Sequence, residues 1–221
     1  AQIFDQVLTF NKKWVKDFCD EYRKVTDVEK HGFSTFARID NLDKERLKIL
    51  GKSGCRLLRV GIEAGSERVR NQIYRKNIST KNIKEIFKTA KQNNVGFTAF
   101  YMLGGPSETR KTINQTINLA RELQANRSAF FVYKPFTEEG MKQVIMHGGV
   151  VDQQRWEKAD NITFDAVIKL KDIGPKQIEM LQYKAYFLTF GKRLLQMIKE
   201  EKIGYFTKLA TYMTRGLKDG L

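Results

Sequence analysis

An α/β fold, built as a partial parallel (β/α) barrel of about five strands with a C-terminal helical region, is predicted by three observations. Apolar strand-like runs alternate with amphipathic helical patterns from residue 1 to about residue 136. The connections between them are short, which in strand-helix-strand units implies right-handed crossovers and parallel neighbours. One run, VGFTAFYML at 95–103, is apolar throughout, as are strands that a parallel sheet buries on both faces. Five strands are too few to complete a barrel of eight.

The elements follow in order. Residues 1–8, AQIFDQVL, read as an opening strand. Asn11 is a helix cap, and Trp14, Val15, Phe18, Cys19, Tyr22 and Val25 recur behind it at three- and four-residue steps. GFSTFARI at 32–39, rich in aromatic and hydroxyl residues, suits a second strand. A helix from about Asp43 turns Leu47 and Leu50 inward and stops near Gly54, where a left-handed residue commonly ends a helix. RLLRVGIEA at 56–64 is the third strand, followed by a short helix near 67–75 and a longer one from about Thr80 with Ile83, Ile86, Phe87 and Ala90 on its apolar face. VGFTAFYML is the fourth strand, the helix after GGPSET carries Ile113, Ile117, Ala120 and Leu123, and SAFFVYKP at 128–135 is the fifth strand. Pro106 and Pro135 fall just past strands, and Pro175 sits near the first turn of a helical tail. From about 175 only helical patterning remains, with apolar residues from Met180 through Phe190 to Met213 set among many lysines. The expected organisation is a barrel core over 1–140, a connecting segment over 141–174 and a separate helical region over 175–221.

Composition bounds the function. A chain of 221 residues with 41% hydrophobic content can bury a core and is not a disordered polypeptide. Forty Lys and Arg against 25 Asp and Glu give a formal charge of +15, which attracts anionic partners. The charges are spread along the whole chain, so a solvated basic surface is the simpler reading. The alternative function is a non-catalytic basic module whose 175–221 helices dock on an acidic membrane surface or nucleic acid. No apolar stretch reaches the roughly 18 residues of a membrane span, and no secretory signal is visible, so a cytoplasmic location is expected. Cys19 and Cys55 are too few for a disulfide framework and lack the spacing of a metal knuckle; no residue is assigned to a metal. His31 and His147 form no ligand pattern, and GGPSET lacks the lysine of a phosphate-binding loop. Because Ala1 opens directly on a strand-like run, the chain is expected to be cut from something longer.

Two turns carry the functional signal. GIEAGSE at 61–67 and GGPSET at 104–109 each follow a strand and precede a helical pattern, which puts both on the rim formed by the carboxyl ends of the strands, where such folds bind ligands. With FDQVLTFNKKW, FARID, SGCRLLRVGIEAGSE, FYMLGGPSETRKTINQTINLA and FFVYKPF in that order, residues 1–136 resemble the radical S-adenosylmethionine superfamily, and within it the group that carries a cobalamin-binding domain. The resemblance implies S-adenosylmethionine and a 4Fe-4S cluster as cofactors, cobalamin in an upstream domain, and either a 5'-deoxyadenosyl radical or a methyl transfer as the outcome. It further implies an unread substrate, a reductant such as flavodoxin or ferredoxin, and the upstream part of the same polypeptide as partners. The family's C-x3-C-x2-C cluster loop is absent from the sequence; it either precedes Ala1 or has been lost.

The same resemblance points to individual residues. Asp5 matches a position that meets the methionine ammonium, against the reading of a solvated turn aspartate. Arg38 and Glu63, on successive strands, are candidates for the carboxylate and for the ribose or ammonium, with a mutually paired buried Arg-Glu couple as the competing reading. Gly104 and Gly105 remove side chains where an adenine edge would approach the backbone. Tyr101 to Glu108 follows a loose G-x-I-x-G-x-x-E pattern with Tyr101 in place of its first glycine, and Glu108 reads as a helix-start carboxylate rather than a ligand. Tyr133 either contacts adenine or fills the barrel. TEEGMKQV, after the fifth strand, departs from the Gly-Thr turn of the family.

Overall fold

The structure, a computed structural model, describes residues 1–5, 8–159 and 163–199, with backbone only over 191–199. Four strands, β1 (Phe33–Ala37), β2 (Cys55–Glu63), β3 (Gly96–Leu103) and β4 (Arg127–Val132), form one all-parallel sheet in the order β1-β2-β3-β4. Among the described residues of the predicted opening strand there is one parallel bridge, Gln2 to Ser34, tied by Ile3 N–H to Ser34 O at 2.8 Å. Residues 3–5 beyond it belong to no strand, and Phe4 is exposed.

Strand order follows chain order, so right-handed crossovers place the helices that connect successive strands on the same face of the sheet. That face is sealed: Leu58, Val60 and Ile62 of β2 are wholly buried, with Ile83 from α3 (Thr80–Gln92) and Ile113 from α4 (Arg110–Leu123) in the same core. The alternate residues Arg59, Gly61 and Glu63 stand on the other face and are only half-buried. A sheet with one covered and one open face is the partial barrel expected from the sequence.

Helix caps match the sequence signals. Asn11 Oδ1 accepts from Trp14 N–H at 3.0 Å to start α1 (Lys12–Val25), and Asp43 does the same for Arg46 N–H at 2.7 Å in α2 (Lys44–Lys52). Gly54, with φ +79°, follows α2 in the left-handed conformation. On α1 only Val15 and Cys19 are fully buried, while Val25 is exposed at the end of the helix. The short helix expected near 67–75 is a single π-helical turn, Val69–Ile73.

After β4 the chain forms α5 (Glu138–Met146), β5 (Val150–Val151), α6 (Gln153–Glu157) and β6 (Ile168–Lys169), with β5 and β6 antiparallel. TEEGMKQV is therefore helical, capped by Thr137 Oγ1 accepting from Gly140 N–H at 3.0 Å. The last helix among the described residues, α7 (Pro175–Lys199), packs on the rest of the fold over its first half. Ile178, Leu181 and Ala185 are buried in the common core. Gln182 Nε2 donates to Phe130 O at 2.6 Å and to Thr163 O at 2.8 Å, closing the free edge of β4. The part of the predicted helical region beyond residue 199 lies outside the described residues, as do the side chains of 191–199. Among the described residues no helix is long and apolar enough to cross a membrane.

Candidate functional site

The two turns named by the sequence leave adjacent strands at one rim, because β2 and β3 are hydrogen-bonded neighbours running the same way. The register between them slips at Ile62, and Glu63 takes a left-handed φ of +63°. That bulge folds the Glu63 carboxylate back over Gly61: a Cβ on Gly61 would lie 2.1 Å from Glu63 Oε1 and 3.1 Å from Lys76 Nζ. Glu63 Oε1 pairs with Lys76 Nζ at 3.0 Å, and the two side chains are 18% and 15% exposed. At that depth water screens the pair far less than it would a surface bridge.

Gly65 fixes the turn against α4. Its N–H donates to Thr116 Oγ1 at 2.9 Å, and a Cβ there would come within 2.3 Å of Gln115 O and 2.4 Å of Thr116 N. Backbone atoms cannot rotate aside, so Gly65→Ala is expected to destabilise the fold by about 2–3 kcal/mol or more, as overpacking of an unyielding site does. A midpoint in urea equal to that of the parent chain would refute this close approach.

The second turn closes on its own carboxylate. Gly104 has φ +78° and Ser107 φ +61°, Glu108 N–H donates to Gly105 O at 3.1 Å, and Glu108 Oε2 accepts from Gly105 N–H at 3.1 Å. Glu108 is 3% exposed, and burial pushes its carboxyl up to about 8 despite the amides of Gly105 and Gly104, which pull the other way. Its Oε1 has no hydrogen-bond partner. Arg68 ties this turn to the first one through Nη1 to Ser107 Oγ and Nη2 to Ser107 O, each 3.0 Å.

Tyr74 lies between the turns. Its buried hydroxyl is also without a partner and would stand 2.1 Å from a Cβ on Gly105. Burial raises its pKa well above the ordinary phenol value, with smaller contributions from Glu108 and Glu63, so the three acids share one small volume. Beneath them Arg70, 0% exposed, staples the connection: Nη1 donates to Ala64 O at 2.8 Å, Nε to Ile78 O at 3.1 Å and Nη2 to Thr80 Oγ1 at 2.9 Å.

Of the six residues singled out in the sequence, three meet here. Tyr74 lies against Gly105 and feels the Glu63 charge, and the Tyr133 ring lies 6.4 Å from that of Tyr74, edge-on, and beside Gly105. Arg38 is held in a fork by Asp40 at 3.1 and 2.7 Å; Asp40 chiefly raises its pKa, and Glu63 adds to the effect. The competing picture of a mutually paired Arg38 and Glu63 is replaced by two separate pairs, Arg38 with Asp40 and Glu63 with Lys76. Gly104 faces the helix layer, where a Cβ would meet Ile178 Cδ1 at 2.9 Å, so its open space is taken by the core. Asp5 is exposed, three residues past the Gln2 bridge on a segment running toward the same rim.

Tyr101, which replaces the expected glycine, stacks on Phe130 at 5.0 Å, and Phe130 in turn meets Tyr186 of α7. It points away from the rim. Lys76, Tyr74 and Arg70 were not legible as site residues, since each sits in a polar segment whose path no periodicity describes. The one available signal is Glu108, four residues after Gly104 in the G-x-I-x-G-x-x-E pattern, which the sequence presents as a helix-start carboxylate rather than a ligand.

Iron-sulfur clusters need thiolates. Cys19 and Cys55 are both free and buried away from the rim elements, in α1 and at the start of β2, and burial raises both thiols, Cys55 to about 12. Among the described residues no group of three or more His, Cys, Asp or Glu is placed to hold a metal ion. The residues present do not fit a 4Fe-4S cluster.

Comparison with known proteins bears on the family and the fold. Residues 13–120 match the Radical SAM superfamily profile. An uncharacterized methyltransferase of Pyrococcus horikoshii is 26% identical over 212 residues, covering 95% of this chain and 45% of the relative. The anaerobic magnesium-protoporphyrin IX monomethyl ester cyclase of Cereibacter sphaeroides is 26% identical over 60% of this chain and 22% of its own length. The tRNA-2-methylthio-N(6)-dimethylallyladenosine synthase of Bacillus velezensis is 25% identical over 75% of this chain and 33% of its own length. The chain thus spans less than half the length of each. Among solved structures, coproporphyrinogen III oxidase (HemN) of Escherichia coli, a radical SAM enzyme, superposes with a TM-score of 0.59 at 14% identity, over 87% of this chain and 40% of that one. The radical S-adenosylmethionine methyltransferase TsrM of Kitasatospora setae gives 0.53 at 14% identity, over 77% of this chain and 34% of that one. At such identity these two likenesses concern the fold.

Proposed function

Because the chain belongs to the radical SAM superfamily, we propose that its two rim turns hold the organic part of S-adenosylmethionine in an enzyme that modifies or methylates its substrate. The observation that carries this reading is the convergence of the Glu63-Lys76 pair with the Gly105 turn at the mouth of the open sheet face. The ligand joins a zwitterionic amino acid to a ribose diol and an adenine, and each part has a counterpart here. Lys76 meets the carboxylate. Glu63 takes the ammonium or the diol. The Gly105 backbone and the Tyr133 ring flank the adenine. Arg38 and Asp5 stand farther along the same rim and complete the charge complement, with Asp5 turned to the ammonium. Gly104 serves by its left-handed conformation rather than by room for the ligand.

The chain's own work is to bind, orient and shield. Bound S-adenosylmethionine supplies the reactive sulfonium, which the protein does not need to generate. Ligands for the 4Fe-4S cluster belong to another segment of the polypeptide, as does any cobalamin domain, and a reductant such as flavodoxin or ferredoxin completes the system. The name of the Pyrococcus relative, matched across 95% of this chain, favours methylation over other modifications. The substrate class stays open, since one scaffold of this kind serves many.

Isothermal titration with S-adenosylhomocysteine tests the reading without any cluster, because that molecule keeps the amino acid and the nucleoside. Glu63→Gln and Lys76→Met are each expected to weaken binding by about 10-fold or more, the effect of losing a charge-assisted contact. Absence of binding to the parent chain at millimolar ligand would overturn it. In the longer polypeptide, anaerobic assays for 5'-deoxyadenosine and for S-adenosylhomocysteine would separate radical chemistry from methyl transfer.

A further inference from the structure

Residues 74–78 run as a strap from the π-helical turn to α3. Both ends are tied: Tyr74 N–H donates to Val69 O at 3.3 Å, Ile78 N–H to Asn71 Oδ1 at 3.1 Å, and Ile78 O accepts from Arg70. In the middle, Arg75 and Asn77 are exposed and sit in the left-handed region at φ +50° and φ +48°, while the Lys76 side chain between them turns inward. Such torsions are sparsely populated and persist only where surrounding contacts enforce them. Two side chains of the strap supply those contacts, Tyr74 against Gly105 and Lys76 on Glu63. One of the two contacts is imperfect, for the Tyr74 hydroxyl is buried without a partner.

We infer that this strap is a gate over the nucleoside site, shut by Tyr74 on Gly105 and latched by Lys76 on Glu63, which swings aside to admit the ligand and closes again on it. The inference rests on the reading of the rim given above. A group approaching Gly105 from the side where a Cβ would stand has to occupy the place of the Tyr74 hydroxyl. Opening breaks one ion pair and one long backbone hydrogen bond, from Lys76 N–H to Arg70 O at 3.3 Å, and relieves two left-handed torsions and one orphaned hydroxyl, a small set of changes between fixed ends. Closing over a zwitterionic ligand then lets Lys76 exchange the Glu63 carboxylate for that of the ligand, so the latch and the ligand contact are the same cation.

Hydrogen exchange and titration on the 221-residue chain test the gate together. Amides of 75–77 are expected to exchange at least 100-fold faster than those of β2 and β3, by local opening, and to slow when S-adenosylhomocysteine is added. Tyr74→Ala removes the competitor and should tighten S-adenosylhomocysteine binding several-fold, since apparent affinity scales with the open fraction. Tyr74→Phe removes only the orphaned hydroxyl, favours the shut strap, and should weaken binding and slow exchange. Weaker binding for Tyr74→Ala with no change for Tyr74→Phe would make Tyr74 a wall of the site and overturn the gate. Exchange of the strap only in step with β2 and β3 would overturn it as well. If no variant binds the ligand while the strap still opens locally, the rim is not a nucleoside site, and the gate over it falls with that reading, although the strap moves.

Discussion

Urea denaturation of an Arg70→Ala variant is expected to show a loss of about 3–5 kcal/mol in unfolding free energy, the largest effect of any single truncation at the rim. The side chain is 0% exposed and is shared among Ala64 O, Ile78 O and Thr80 Oγ1. Its removal leaves two backbone acceptors without a donor in a space water does not reach, at roughly 1–3 kcal/mol each, and opens a cavity besides. The ion pair with Glu67 contributes little, since its separation is 3.5 Å and Glu67 is half-exposed. Arg70→Lys keeps the charge but cannot reach all three acceptors in fixed directions, so it should fall between the parent and the alanine variant. A lysine variant as stable as the parent would mean that charge alone, rather than the guanidinium fork, joins the two ends of this connection.

The second large effect is a dependence on pH that belongs to Glu108. Its folded-state value of about 8 lies above the 4.5 of a free glutamate, so folding favours the protonated carboxyl. The stability this provides is complete below about pH 4.5 and is lost as pH rises toward 8. At 1.36 kcal/mol per pH unit, the loss across that window approaches about 5 kcal/mol as an upper bound. Glu108→Gln keeps the acceptor for the Gly105 amide and has no proton to lose. Denaturation of both proteins at pH 5, 6, 7 and 8 should show the parent declining relative to the variant, with the variant the more stable at pH 8. Parallel curves would mean that Glu108 is ionised throughout and that the amides of the 104–108 turn, with Arg68, outweigh its burial.

Much of this architecture was legible in the order of residues. Alternating apolar runs place β1 to β4 within a few residues of their observed bounds, because a strand buried on its helix-facing side must be apolar there and a crossover helix must carry one apolar stripe. Asn11 and Asp43 announce their helices because a short polar side chain satisfies the first free amides locally. The family pattern likewise marks Glu63 and Gly105, since strand-end turns are built from contiguous residues. The opening stretch misled over its described residues 1–5 for the same local reason: a β-prone stretch becomes a strand only where a partner edge accepts it, and these residues make one bridge, at Ser34.

By itself, then, the linear chain determined the strand-helix alternation, the parallel sense of the sheet, the rim on which its two turns lie and the family they signal, all of which depend on neighbours in sequence. Only tertiary structure decided that Lys76 rather than Arg38 pairs with Glu63, that Tyr74 rests on Gly105, that Glu108 is buried and that α7 seals β4. Each of these joins residues separated along the chain through a bulge, a left-handed torsion or a buried amide, and their energies depend on local dielectric and on the room left by a missing Cβ, which no periodicity encodes.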